Sequence, residues 1–387
     1  MIQRTFGEDT LGLLGFGTMR LPVTESGAVD ENQVREMVGY ALAHGVNYFD
    51  TAYPYHGGES ERVIGRALRE YPRESYRLAT KYPGHQIAAS YDPTAVFEEQ
   101  LAKCGVEYFD YYLLHNVYEN SIRTYTDPRW GIVDYFVEQR RLGRIRHLGF
   151  SCHGGLDCLR AFLDHYGDVM EFCQIQLNYL DWTLQNAKEK VLLLNERRIP
   201  IWVMEPVRGG RLAKLPETDE AALSALRPDE STAAWAFRFL QSVPGITMIL
   251  SGMSDLAQMQ ENVRTFERER PLTERETQTL LAIAEGMKNG VPCTACRYCC
   301  DGCPKKLDIP TLLSVFNELR FSPAVGVGMR MEALPPEQQP SACAGCGRCA
   351  QICPQRIDIP QAMREFTAAL DKLPKWADIC RQRDEAQ

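Results

Sequence analysis

Residues 46–55 read VNYFDTAYPY, an apolar run that stops abruptly at a carboxylate, a threonine and two tyrosines. Val46 to Phe49 has the make-up of a short buried strand, and Asp50 and Tyr55 sit where it empties. Strands that end this way belong to the C-terminal rim of a parallel barrel, where barrel enzymes keep their chemistry. Two further apolar runs end alike, YRLAT at Lys81 and FDYYLL at His115.

On either side of that stretch, helical and strand periodicity alternate. Arg4 to Pro22 fits a small hairpin leading into a first strand at Leu13–Gly17. Helical patterns follow at Glu31–His44, Glu59–Tyr71, Pro93–Cys104, Arg129–Leu142, Leu156–Tyr166, Ala187–Glu196, Glu230–Gln241 and Leu256–Phe266. Between them lie strand patterns at Tyr76–Thr80, Phe109–Leu114, Ile145–Phe150, Glu171–Leu177, Ile199–Val203 and Ile246–Leu250. Eight such units in roughly 270 residues have the size and rhythm of a closed (β/α)8 TIM barrel. An open doubly wound sheet is the rival, but Gly15–Gly17 opens no G-x-G-x-x-G turn into a helix, so the dinucleotide fingerprint of that fold is missing.

Asp50, Tyr55, Lys81 and His115 make chemical sense as a set. A phenol is a poor acid at neutral pH; an adjacent ammonium stabilises the phenolate, and a carboxylate holds the ammonium. An imidazole across the site orients a carbonyl oxygen or passes a proton. Singly, each is more often a packing, loop or salt-bridge residue, and Tyr53 competes with Tyr55.

The motifs YFDTAYPY with GESE following, LATK and YLLH resemble those of the aldo-keto reductase family over about residues 4–285. The resemblance implies a TIM barrel, NAD(P)H as cofactor, a small carbonyl or alcohol substrate, and a catalytic tetrad of Asp50, Tyr55, Lys81 and His115. It also selects Tyr55 over Tyr53. By the same resemblance, Gly17 and Thr18 contact the nicotinamide side, Ser151 and Gln174 hold the carboxamide, and Met204 stands where many members stack a tyrosine. Cys152 replaces a usual asparagine. Ser251, Gly252 and Met253 fit the family's phosphate loop, and Glu261 and Asn262 its adenine contacts. Gln258 replaces an arginine common in members preferring NADP, which leaves NADP or NAD open. Arg208 and Lys214 are candidates for the pyrophosphate or for a polar loop. Tyr118, Tyr125 and Trp130 either line a substrate pocket or form a lid packed on itself. No divalent-metal site is expected in the barrel.

Composition changes at about residue 290, dividing the chain into a barrel (1–288) and a smaller module (289–387). Of 14 cysteines, nine lie between Cys293 and Cys353, which is ligand spacing, not a disulfide framework, and suits a cytoplasmic setting. Net charge is −8 with both signs interspersed, which argues against a nucleic-acid surface. The segment MIQRTFGEDTLG has no apolar core, and no later stretch is apolar for long enough to cross a membrane.

The module reads CTACRYCCDGCP from Cys293 and CAGCGRCAQICP from Cys343, two copies of C-x2-C-x2-C-x3-C-P at an offset of 50. This resembles the two-cluster bacterial ferredoxin arrangement, whose long inter-motif span is similar to its helical versions. In that arrangement the fourth cysteine of each run serves the other [4Fe–4S] cluster. The implied ligand sets are Cys293, Cys296 and Cys299 with Cys353, and Cys343, Cys346 and Cys349 with Cys303. Cys300 is a spectator, and zinc is the competing metal. CPKKLDIP and CPQRIDIP extend the repeat, each offering an Asp cap and a Pro first turn to helices at Thr311–Arg320 and Ala362–Leu370. The Gly- and Pro-rich stretch 321–340 is expected to be connection.

Nicotinamide passes two electrons as hydride, a cubane one, and flavin normally joins the two. The sequence therefore leaves three readings: structural clusters, a relay to a flavoprotein or ferredoxin partner, or a barrel holding flavin. A non-catalytic nucleotide-binding barrel is the alternative to an enzyme.

Overall fold

The computed structural model describes residues 1–287, 290, 291, 293, 297–321, 324–353 and 355–385. The chain divides into two compact units, Met1–Leu281 and Ala282–Gln387.

In the first unit, β1 (Gln3–Phe6) and β2 (Asp9–Gly12) form an antiparallel hairpin. Eight strands follow: β3 (Leu14–Gly17), β4 (Tyr48–Asp50), β5 (Arg77–Tyr82), β6 (Phe109–Val117), β7 (Ile145–Cys152), β8 (Cys173–Gln176), β9 (Ile201–Met204) and β10 (Ile246–Ser251). They pair in parallel, in chain order, and β10 closes on β3. The open-sheet rival is therefore excluded. Helices alternate with the strands where the 3.6-residue periodicity placed them: Pro93–Cys104, Leu156–Tyr166 and Ala187–Glu196 have the expected bounds. Asp92 shows why such bounds are readable, since its carboxylate caps Ala95 N–H while Pro93 occupies the first turn.

The opening strand is shorter than its sequence suggests. Val46 N–H still bonds to Ala41 O at the end of the preceding helix, and the Asn47 amide is committed to Gly12 N–H and Thr10 O. Only Tyr48–Asp50 joins the barrel. Below it the barrel is filled, not hollow: Leu11, Tyr48, Tyr111, Phe172, Trp202 and Met248 form one buried cluster, with Phe6 of the hairpin packed against it. Phe6 meets Trp202 edge-to-face at 4.9 Å, so the hairpin acts as a floor and leaves the opposite rim for chemistry.

Helices Asp181–Leu184, Glu217–Ser224 and Glu274–Met287 lie outside the periodic segments first recognised. The last announces itself chemically, because Thr273 and Glu276 form a reciprocal capping box: Glu276 N–H bonds to Thr273 Oγ1 at 3.3 Å and Thr273 N–H to Glu276 Oε2 at 2.7 Å.

The second unit is helical, with Tyr298–Asp301, Ile309–Phe321, Val325–Glu332, Arg348–Ile352, Ile359–Leu370 and Trp376–Glu385. The stretch expected to be plain connection contains the helix Val325–Glu332; Val327, Met329 and Met331 bury there, which outweighs the helix-weakening glycines 326 and 328. The internal repeat is visible in three dimensions. Lys306 and Arg356 both adopt left-handed backbone (φ 53° and 52°), and each N–H bonds at 3.0 Å to the carbonyl of the fourth cysteine of its run. Phe316 and Phe366, one from each copy, stack at 5.2 Å in the core.

Candidate active site and cysteine cavity

Because β4, β5 and β6 are parallel neighbours, their last residues meet at one rim. Lys81 Nζ donates to Asp50 Oδ1 at 2.6 Å and to Thr51 O at 2.7 Å, with the lysine side chain fully buried. The same ammonium lies 5.1 Å from the Tyr55 ring centroid. Tyr55 and His115 meet edge-to-face at 5.9 Å. All four expected residues are thus brought together. Tyr53 turns away: its hydroxyl donates to Glu99 at 3.0 Å and Lys103 covers its ring.

Tyr55 stands in a short 3-10 turn, Tyr55–Gly58, whose next three residues are all left-handed (φ 52°, 66° and 94°). Two of the three are glycine, the residue that adopts this backbone without strain. A hydroxyl cluster fixes the strand beneath: Thr18 donates to Asp50 O at 2.9 Å, and Ser60 joins Thr18 and Thr51.

Burial disfavours the Lys81 ammonium, yet Asp50 and Tyr55 more than offset this and hold Lys81 above its ordinary value. Burial pushes the Asp50 carboxyl up while Lys81 pulls it down. With a 2.6 Å contact and the extra bond to Thr51, we treat the two as an ion pair. The Tyr55 phenol departs from expectation. Burial raises it, Lys81 lowers it, and Asp50 and Glu205 raise it further, so the net shift is upward. The ammonium acts as the sequence implied, but desolvation wins.

One neighbour escaped the sequence. His85, from the loop after β5, is buried and its ring meets that of His115 at 4.4 Å. Its approach depends on Gly84, where a Cβ would lie 2.7 Å from the Tyr125 ring. Tyr125 in turn bonds to both strand ends, to Tyr82 O at 3.2 Å and His115 O at 2.8 Å. Tyr125 and Tyr118 are buried, so they pack instead of lining an open pocket. A histidine following LATK by a few residues was the only available signal.

The residues expected around a nucleotide occupy the same rim. Gln174 Oε1 is buried without a hydrogen-bond partner, while its amide nitrogen lies 3.6 Å from the Met204 sulfur. An orphaned acceptor of this kind fits a carboxamide N–H donor. Ser151 Oγ accepts from Asn116 N–H at 2.7 Å. Cys152 points inward and burial pushes its thiol up to about 11, so it does not replace an asparagine amide. Ser251 bonds to Asn262 at 3.1 Å, linking the end of β10 to the helix Leu256–Thr265. Gly17 packs against the Ser251–Gly252 backbone, and Met253 is buried beside them, while Glu261 is half-buried. The Gln258 side chain is committed to Asp255 and Ser254 N–H at that helix's start. Arg208 is not a free phosphate cation: it is buried against Asp181 at 2.6 Å. Lys214 is exposed. Arg20, by contrast, pairs with Glu205 at 3.1 Å and lays its stem over Gly252.

In the second unit, a small cavity open to solvent is lined by Cys303, Cys343, Cys346 and Cys349, together with Leu307, Ile359 and Met363. The backbone N–H of Arg348 pulls the exposed Cys346 thiol below its ordinary value, and burial pushes Cys349 up. Soft donors around an apolar-backed cavity fit a thiolate-held iron–sulfur group. Cys293, Cys299 and Cys353 flank the same core, whereas Cys296 lies outside the described residues. Among the described residues, no three metal-binding side chains converge on a single ion. No helix among them is long and apolar enough to cross a membrane.

Comparison with known proteins agrees with this layout. Residues 13–285 match the aldo/keto reductase family model, and residues 292–357 match a 4Fe-4S dicluster domain. A probable aldo-keto reductase of Glycine max is 28% identical over 205 residues, 51% of this chain and only 56% of that relative. The uncharacterized oxidoreductase YqkF of Bacillus subtilis is 24% identical over 313 residues, 72% of this chain and 95% of its own length. Among solved structures, aldo-keto reductase AKR11C1 of Bacillus halodurans superposes with a TM-score of 0.59 at 25% identity, covering 73% of this chain and 96% of that one. With a matched family model spanning most of its length and a closed barrel carrying the family's motifs on one rim, the chain belongs to the aldo/keto reductase family of NAD(P)-dependent oxidoreductases, with a 4Fe-4S dicluster domain at its C-terminal side.

Proposed function

We propose that the barrel reduces a small carbonyl compound, or oxidises the corresponding alcohol, with Tyr55 as general acid or base. The observation that carries this reading is the Lys81 ammonium, held at 2.6 Å by Asp50 and lying beside the Tyr55 ring. When bound, NADH or NADPH supplies the hydride. Lys81 favours the phenolate left when Tyr55 gives its proton to the carbonyl oxygen, and Asp50 keeps Lys81 charged and in place. His115 orients that oxygen. Gln174, Ser151 and Met204 would hold the nicotinamide end, with Gly17 and Thr18 beside it. Ser251, Gly252, Met253, Gln258, Glu261 and Asn262 would hold the adenosine half. The absence of a cation at position 258 favours no strong preference for the 2′-phosphate.

The module would hold two [4Fe–4S] clusters on the crossed cysteine sets, in a reducing, cytoplasmic setting. Two clusters in a relay arrangement exceed what one small module needs as a staple, so we read them as exchanging single electrons with a flavoprotein or ferredoxin partner. Support comes from the four-cysteine cavity, which draws Cys303 from one run and three cysteines from the other.

The test of the reductase is Tyr55→Phe. Purified with both clusters and shown by calorimetry to bind NAD(P)H, it should lose turnover by about 10²-fold or more. Full retained turnover would remove Tyr55 from the role of acid. Failure of the parent protein to bind either nicotinamide would favour a non-catalytic barrel.

A further inference from the structure

The cysteine module also carries a surface that neither hydride transfer nor folding requires. Cys346 is exposed between Gly345 and Gly347, both left-handed, and a Cβ added at either glycine would touch nothing within 4 Å. Neither neighbour therefore puts a side chain over Cys346, which borders the four-cysteine cavity. Lys305 lines the same cavity as Cys346, and Arg348 lies two residues beyond it. Ile352, 54% exposed, follows Arg348 by one helical turn and so shares its face. Lys305, Lys306 and Arg348 are exposed, and among the described residues none of them is in an ion pair. The carboxylate nearest them in sequence, Asp308, is already committed to Arg297 at 3.1 Å and to Thr311. On a chain of net charge −8, this is a local reversal of sign.

We propose that Lys305, Lys306, Arg348 and Ile352, grouped around Cys346, form the docking surface for an acidic one-electron carrier protein. The inference rests on reading the module as redox-active, and it adds where the partner binds and what charge it carries. Unpaired cations steer an acidic surface into register from a distance. An exposed aliphatic residue gives the encounter an apolar contact. The glycines let the partner approach the sulfur closely. One electron then passes per encounter: the carrier is oxidised by one and the group held by Cys303, Cys343, Cys346 and Cys349 is reduced by one, with no bond or proton changing hands.

The test uses the full chain, reconstituted anaerobically, with an acidic bacterial ferredoxin as probe. Association of the oxidised proteins is followed by calorimetry, and electron transfer from the reduced ferredoxin by stopped-flow bleaching. Iron and sulfide are counted for every variant. Both association and rate should weaken by about tenfold between about 50 and about 500 mM salt, and again by about tenfold in K305E/K306E at low salt. The charge-matched control K372E/K375E, at exposed sites elsewhere in the module, should change neither. Undiminished association in a fully loaded K305E/K306E protein would overturn the docking surface, as would insensitivity to salt. A silent EPR spectrum after dithionite would instead defeat the redox reading of the clusters, while the association arm would still report on the surface by itself.

Discussion

The two units solve opposite problems. In the barrel, the four residues of the candidate site are scattered along the sequence, and parallel strand ends gather them into a buried ion pair with aromatic neighbours. In the module, the candidate ligand residues are clustered in sequence, and their thiols range from buried (Cys299, Cys349) to exposed (Cys346). The barrel therefore makes its site from its fold. On the proposed ligand sets, the module would make its fold, in part, from its site. A buried charge pair needs a rigid frame already in place, because separating the partners leaves an uncompensated charge; soft thiolates need only to be brought within reach of a metal group that then binds them together.

That contrast can be broken first at Lys81. Lys81→Met removes the ammonium and strands Asp50, and turnover should fall by about 10²- to 10⁴-fold, measured at saturating NAD(P)H. Activity near that of the parent would mean that the buried pair serves only structure. The second test is iron. Cys303→Ser should lower iron from about eight to about four atoms per chain, and anaerobic chelation should melt the module while leaving barrel circular dichroism and nicotinamide binding intact. A barrel that unfolds together with the module would erase the distinction between the two units.

A third test concerns the frame. Arg227 and Glu276 form a largely buried two-pronged pair, and the Arg227 hydrogen bond holds the Glu276 carboxyl down at about 2. A depressed carboxyl contributes stability above its unfolded value near 4.5, and that contribution is lost as pH falls towards about 2. Glu276→Gln should cost roughly 1.5–3 kcal/mol at neutral pH, read as a lower urea midpoint. The difference from the parent protein should shrink below pH 4. A constant difference across that range would show that packing, not charge, is at work. The smallest effect is expected at His85. His85→Ala should lower kcat by about tenfold through loss of the ring contact on His115, with His85→Phe recovering most of it and KM moving little. Equal kcat in all three proteins would leave His85 as filler.

Much of this was legible before any coordinates. Strand ends could be read because apolar runs stop at polar residues, and caps such as Asp92 with Pro93 mark their helices unambiguously. Asp50, Lys81 and His115 follow from the same rule, whereas Tyr55 is separated from Tyr53 only by the family resemblance. What the sequence hid depends on distance in space. His85 reaches His115 only because Gly84 lies flat on Tyr125, and no local pattern encodes that contact. The upward shift of Tyr55 is likewise invisible in sequence, since burial outweighs the pull of Lys81 and is joined by Asp50 and by Glu205, which is distant in sequence. The helix Val325–Glu332 was missed because two glycines outweigh its apolar residues in any local count, whereas burial of Val327, Met329 and Met331 decides the matter in three dimensions. The helix Glu274–Met287 differs, because the Thr273–Glu276 capping box at its start is a local signal in the sequence.

The cavity that takes one wall from Cys303 and three from Cys343, Cys346 and Cys349 bears on how the protein is made. A ribosome delivers the first cysteine run well before the second. During that interval the early thiols have no complete site, and on the crossed ligand sets proposed above neither run can close a site with its own residues. On those sets the site that draws on Cys303 is complete only once Cys349 has left the exit tunnel, and the other only once Cys353 has. The crossing would therefore set an order of assembly, with neither proposed cubane site able to close before the second run emerges.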